Sequence, residues 1–207
     1  MSLIYNGTLY TYQAKPDRIY LALNMGGLTG SAPTTSGWTP LWVDPVNFAD
    51  LSQHIEYGQL GSSGIGFRTP NTGSGSNNWG VLNNSAMGGA GVNANGIYPN
   101  EVMEQYWFTN STTGSIILYN FSSSNVLTSD KSFTFRFFGS RGGIVGPRRT
   151  IYTIGTQSAS LDVANNSSSY VDITNVVPSA STIWIKVRNT VADSTFGYLN
   201  AMFIIEQ

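Results

Sequence analysis

The chain has 207 residues, a net charge of -1 from 10 Lys and Arg against 11 Asp and Glu, 13% aromatic residues and no cysteine. Only 10% of its residues are charged, against about 25% in ordinary domains, so it lacks the basic stripe that neutralises nucleic-acid phosphates. The missing cysteine excludes disulfides, thiolate zinc sites and thiol catalysis, and the aromatic content excludes a wholly disordered chain.

In chain order, residues 1–16, with Tyr5, Tyr10 and Tyr12, read as an N-terminal arm or extra strand, and 17–207 as one domain. The opening has neither the basic start nor the apolar run of a signal peptide; Met-Ser-Leu reads either as a cloning remnant on an excised domain or as a true start, and the second would suit a virion component released by lysis. No apolar stretch of about 18 residues occurs to form a membrane-spanning helix. Between Arg18 and Asn24, Ile19, Leu21 and Leu23 alternate, which sends them to one face of a strand. Residues 58–96 then carry 11 of the 23 glycines, with Asn and Ser between them. They read as a long loop region, a feature that compact domains keep mainly for binding loops and lids.

Alternating segments follow at 115–119, 132–138, 151–154, 159–163, 170–176, 183–187 and 198–205. Asn, Ser, Gly or Pro separate them, and from Ile151 onward they recur about every 10 residues. The expected fold is all-β, an antiparallel jelly-roll-like β-sandwich. Trp184 points away from Ile183, Ile185 and Val187, so it meets a second layer or a partner.

The catalytic inventory is thin. His54 is the sole histidine, and no Gly-x-Ser-x-Gly elbow supplies a nucleophile for it. Glu101 and Glu104 are three apart, which on a strand places them on opposite faces and not as a pair across a glycosidic bond. Gly64-Ile65-Gly66-Phe67 opens no helix, and no Gly-Lys-Ser or Gly-Lys-Thr occurs, so no phosphate cradle is expected. The protein is read as not an enzyme and as having no cofactor.

Several pieces together carry a resemblance: Ile97-Tyr98-Pro99 with Val102, Phe138-Gly139-Ser140-Arg141, Arg149 to Gly155, Asn165-Asn166, Val176-Val177-Pro178 and Phe196 to Ala201. In order and spacing these are similar to the galactose-binding-like β-sandwich domains of bacterial surface and carbohydrate-associated proteins and of phage structural proteins. Ile19 to Gly26 resembles their opening strand, and Gly37-Trp38 lies where they often carry a Trp. The resemblance covers 17–207 and departs in the Gly-rich region and the N-terminal arm. It implies sugar binding through loops at one end of the sandwich, without implying catalysis. It also allows a structural calcium at Asp44, Asp50 and loop carbonyls.

Trp38 and Trp42 flank Thr39-Pro40-Leu41, and Trp79 follows Asn78, all three tryptophans being expected outside the alternating strands. Exposed indole faces beside amide and guanidinium donors suit a sugar, whose C–H face is apolar and whose rim is polar. The expected ligand residues are therefore Trp38, Trp42, Trp79, Asn78, Arg68 and Arg141. The competing bland reading is that these tryptophans pack loops onto the sandwich. Arg141, Arg148 and Arg149 are three of seven arginines, and in the same bland reading they tie loops together.

The expected function is a non-catalytic carbohydrate-binding or adhesion module. The alternative is a phage virion structural protein, a capsid decoration, head-fibre or tail module acting by assembly and host-surface contact. Expected partners are a glycan or host-surface polysaccharide, other virion subunits or a second copy, with no nucleic acid. The expected location is extracellular or on a virion surface.

Overall fold

The computed structural model describes residues 2–5, 8–11, 18–28, 39–43, 56–59, 64–68, 79–83, 105–110, 114–120, 125–190, 192 and 196–207. Among them there is no helix, and hence none long and apolar enough to cross a membrane. The strands are β1 (Ser2–Tyr5), β2 (Thr8–Thr11), β3 (Arg18–Leu28), β4 (Thr39–Val43), β5 (Glu56–Gln59), β6 (Ile65–Arg68), β7 (Trp79–Asn83) and β8 (Gln105–Asn110). They continue as β9 (Gly114–Asn120), β10 (Phe133–Phe138), β11 (Arg149–Ile154), β12 (Gln157–Asp162), β13 (Val171–Val176), β14 (Thr182–Asn189), β15 (Phe196–Leu199) and β16 (Ala201–Glu206).

The protein is an all-β sandwich. One layer is the five-stranded sheet β13-β10-β16-β3-β4, the other the six-stranded sheet β12-β11-β14-β9-β6-β5. All pairings are antiparallel except β3 with β4. A three-stranded sheet, β15-β8-β7, adjoins them, and β1 with β2 forms a hairpin sheet by itself. Period-2 alternation builds the layers: on β14, Ile183, Ile185 and Val187 are buried while Trp184, Lys186 and Arg188 are exposed. On β10, Phe133, Phe135 and Phe137 point inward. Phe137 stacks on Tyr152 of the opposite layer at 4.6 Å between ring centroids. A single apolar cluster joins these to Leu23, Met25, Phe67, Trp107, Ile185 and Met202, so all three larger sheets share a core.

Two sequence expectations are corrected. Residues 58–96, expected as a loop region, contain β6 and β7. Gly66 in β6 is there for space: a Cβ at this position would lie 2.4 Å from the Tyr119 ring. The expected strand 198–205 is two strands, broken at Asn200, where the chain leaves β8's sheet for β10's. Asn200 holds this corner, donating its N–H to Phe138 O at 2.9 Å and accepting from Met25 N at 2.8 Å on its own carbonyl. Its Oδ1 accepts from Ser140 N at 2.7 Å.

Candidate functional site

Two regions of the described structure gather groups that could meet a ligand, the first around the buried rings of Tyr106 and Tyr198 and the second exposed. The first lies under the loop 139–148 between β10 and β11. Arg141 enters the loop on a short parallel bridge, donating N–H to Val163 O and accepting from Asn165 N, both at 2.8 Å. Arg148 leaves it with its N–H on Asp162 Oδ1 at 2.9 Å and its carbonyl accepting from Val163 N at 3.0 Å. Asn165 closes the loop from within, exchanging hydrogen bonds with both backbone groups of Ile144. Asn166 donates to Gly139 O at 2.8 Å and Ser169 O at 2.7 Å. Both arginines are thus mounted on a loop fixed at its two ends.

Beneath them lies an aromatic face of the three-stranded sheet. Tyr198 is paired with Phe108 in the β15–β8 register, and Tyr106 and Phe196 sit two residues away on their strands. Alternation therefore puts all four rings on one side. Tyr106 and Tyr198 meet edge to face at 5.3 Å, and Phe108 meets Phe196 at 5.5 Å. The Arg141 guanidinium carbon is 5.8 Å from the Tyr106 ring centre and that of Arg148 is 5.7 Å from Tyr198, within cation–π range. Arg148 Nη1 also donates to Tyr198 Oη at 2.7 Å.

Burial pushes the Tyr106 phenol up to about 12, with Tyr198 adding to the rise and Arg141 and Arg148 opposing it. It is an O–H donor at any physiological pH. Arg148 Nε is buried with no hydrogen-bond partner, a condition that costs about 1–3 kcal/mol for a buried donor. Among the described residues no carboxylate forms an ion pair with Arg148.

The second surface is the outer face of the six-stranded sheet. Trp184, 47% exposed, stands on it with exposed Lys186 and Arg188 at the next outward positions of β14. Lys186 is flanked in register by Ser115 on β9 and Thr153 on β11. Thr153 Oγ1 and Ser158 Oγ are hydrogen-bonded at 2.8 Å, giving an ordered exposed hydroxyl pair. Tyr119, half-buried and resting on Gly66, opposes Thr182 and so lies diagonally from Trp184, at the roughly 7–8 Å that long and aromatic side chains span.

Of the six expected ligand residues, Trp38 and Asn78 lie outside the described residues. Trp42 and Trp79, expected outside strands, are in β4 and at the start of β7. Trp79 pairs with Thr109, three residues along β8 from Tyr106, about 10 Å along the strand. Arg68 ends β6 opposite Ile117, in a different sheet. Arg141 alone of the six is placed against described side chains. Sequence reading did not single out Tyr106 or Tyr198, although the spacings Tyr106-x-Phe108 and Phe196-x-Tyr198 were visible as two aromatic strand faces. Trp184, expected to meet a second layer or a partner, stands exposed.

Among the described residues no group of three His, Asp or Glu could hold a metal ion. Asp44, Asp50, His54, Glu101 and Glu104 lie outside them. No family model and no curated protein matches the chain. Among solved structures, the carbohydrate-binding module TmCBM61 in complex with beta-1,4-galactotriose matches with a TM-score of 0.37 and 10% identity, over 76% of this chain and 91% of that one. No site residue is carried across from a likeness at that level.

Proposed function

We propose that this β-sandwich is a non-catalytic module that binds a glycan, with the outer face around Trp184 as the platform on which a sugar ring lies. The observation that carries this reading is the half-exposed indole of Trp184 on a regular strand, where alternation fixes its direction. An indole face removes the apolar C–H face of a pyranose from water, and the surrounding groups hydrogen-bond its rim. Here those groups are the Lys186 ammonium and the Thr153–Ser158 hydroxyl pair. Mounting on a sheet keeps the platform pre-organised, so little ordering entropy is spent on binding. Such a module would work outside the cell or on a virion surface, where polysaccharide is met.

The test is acrylamide quenching of tryptophan fluorescence during titration with a panel of polysaccharides, run beside affinity electrophoresis. Binding should shield part of the emission and retard migration. Trp184→Ala should lose the shielding and weaken retardation by about tenfold or more, the order expected for an aromatic anchor. Quenching that no polysaccharide changes, with migration identical for both proteins, would remove this reading.

A further inference from the structure

Arg148 uses one nitrogen of its guanidinium, Nη1, to hold Tyr198 Oη. This leaves the edge formed by Nε and Nη2, whose two N–H bonds run parallel and match the two oxygens of a carboxylate. The same molecule shows what that edge takes. Arg136 donates through Nε to Asp172 Oδ1 and through Nη2 to Asp172 Oδ2, both at 2.9 Å, and carries the Tyr170 ring at 3.9 Å. Arg148 also stands beside a tyrosine, bonded to its hydroxyl instead of lying close over its ring, but Nε is buried without a partner and no described acid pairs with the side chain. Asp162 does not supply it: its Oδ1 accepts from the backbone N–H groups of Arg148 and Ala164, and the carboxylate forms no ion pair with the Arg148 side chain.

The neighbouring side chains of Tyr106 and Tyr198 are phenols and add no carboxylate. The Tyr106 hydroxyl makes no hydrogen bond among the described residues and stays protonated. Tyr198 Oη accepts from Nη1, on the side of the guanidinium opposite the Nε–Nη2 edge, and so orients that edge without adding a donor to it. The Nε–Nη2 edge is a pair of parallel donors that a neutral hydroxyl would fill incompletely and a carboxylate would fill with two charge-assisted bonds.

We infer that the Arg148 edge, backed by Tyr106 and Tyr198, binds the carboxylate of an acidic sugar such as a uronate, at a site separate from the Trp184 face. That the carboxylate belongs to a sugar rests on the glycan reading above; that the edge takes a carboxylate does not. Filling it requires the half-exposed Arg148 side chain to shift so that Nε is uncovered.

The experiment is calorimetric or NMR titration of the intact chain with galacturonate, galactose and propionate. The wild type should bind galacturonate about tenfold or more tighter than galactose, as expected for a carboxylate on a guanidinium fork. Arg148→Gln should abolish that preference, and Trp184→Ala should leave it. Arg148→Lys keeps the charge and lacks the fork, so it should also lose the preference while melting like the wild type, which guards against a variant that fails to fold. Equal affinity for galacturonate and galactose would overturn the inference and leave the glycan reading standing. Propionate binding as tightly as galacturonate would overturn the assignment to a sugar. No galacturonate binding at millimolar ligand would overturn the site, while Trp184 shielding by polysaccharide would decide the glycan reading on its own.

Discussion

Tyr106 keeps its proton because burial strips water from the phenolate, and this outweighs the nearby positive charge of Arg141 and Arg148. Its ionisation falls at about 12 in the folded protein against 10.0 for an ordinary tyrosine. A group whose value is raised by folding contributes stability that is complete below the unfolded value and is lost as pH climbs through the folded one. The window is therefore pH 10 to 12, and the loss across it is on the order of 2–3 kcal/mol. Lysines and other tyrosines also titrate there, so the informative quantity is the difference from Tyr106→Phe, which has no proton to release. The denaturant midpoint of the wild type should fall relative to that of Tyr106→Phe on going from pH 10 to pH 12. Curves that stay parallel would show that Tyr106 ionises in the folded state as readily as in the unfolded chain.

Among the elements, β15 is placed by backbone approach. A Cβ on Gly197 would come within 2.8 Å of Arg188 C and 3.0 Å of Arg188 O and Asn189 N, all atoms of β14's main chain. Main-chain atoms cannot rotate away as a side chain does. Gly197→Ala should therefore cost about 1–3 kcal/mol, seen as a lower denaturant midpoint. Since β15 carries Tyr198, the near-ultraviolet circular dichroism should change with it; an unchanged midpoint would mean that the two strands separate at little cost. What sequence could reveal divides along the same line. The alternation of Ile183, Ile185 and Val187 gave away β14 because each layer buries one face only. The break at Asn200 was marked only by one polar residue, readable as satisfying backbone groups near the last strand but not as a corner between two sheets. The Gly-rich segment misled for a related reason: Gly66 makes room for a ring from β9, which composition cannot distinguish from loop flexibility. The Tyr106–Tyr198 contact depends on β8 pairing with β15 across most of a hundred residues, so Arg141 was legible as a candidate while the rings under it were not.

At the scale of the whole molecule, the first and last parts of the sandwich close on each other. Arg18 of β3 pairs with Glu206 of β16, and β16 lies between β10 and β3 in the five-stranded sheet. Met202 and Ile204 also contribute to the core shared by the three larger sheets. Bringing together segments so distant in sequence must be paid in loop-closure entropy before the contact rewards it. Refolding should accordingly fall on the millisecond-to-second side of the range for single domains, or slower. Removing residues 201–207 takes out a central strand and leaves β10 and β3 without their common neighbour, so the shortened chain should lose its cooperative thermal transition. The β1–β2 hairpin pairs with neither large sheet, and a two-stranded hairpin is at best marginal alone. A chain beginning at Asp17 should then melt within a few degrees of the intact protein, with tryptophan emission and far-ultraviolet dichroism changing together. A cooperative melt after the C-terminal cut, or its loss after the N-terminal one, would place the stabilising pairings elsewhere in the chain.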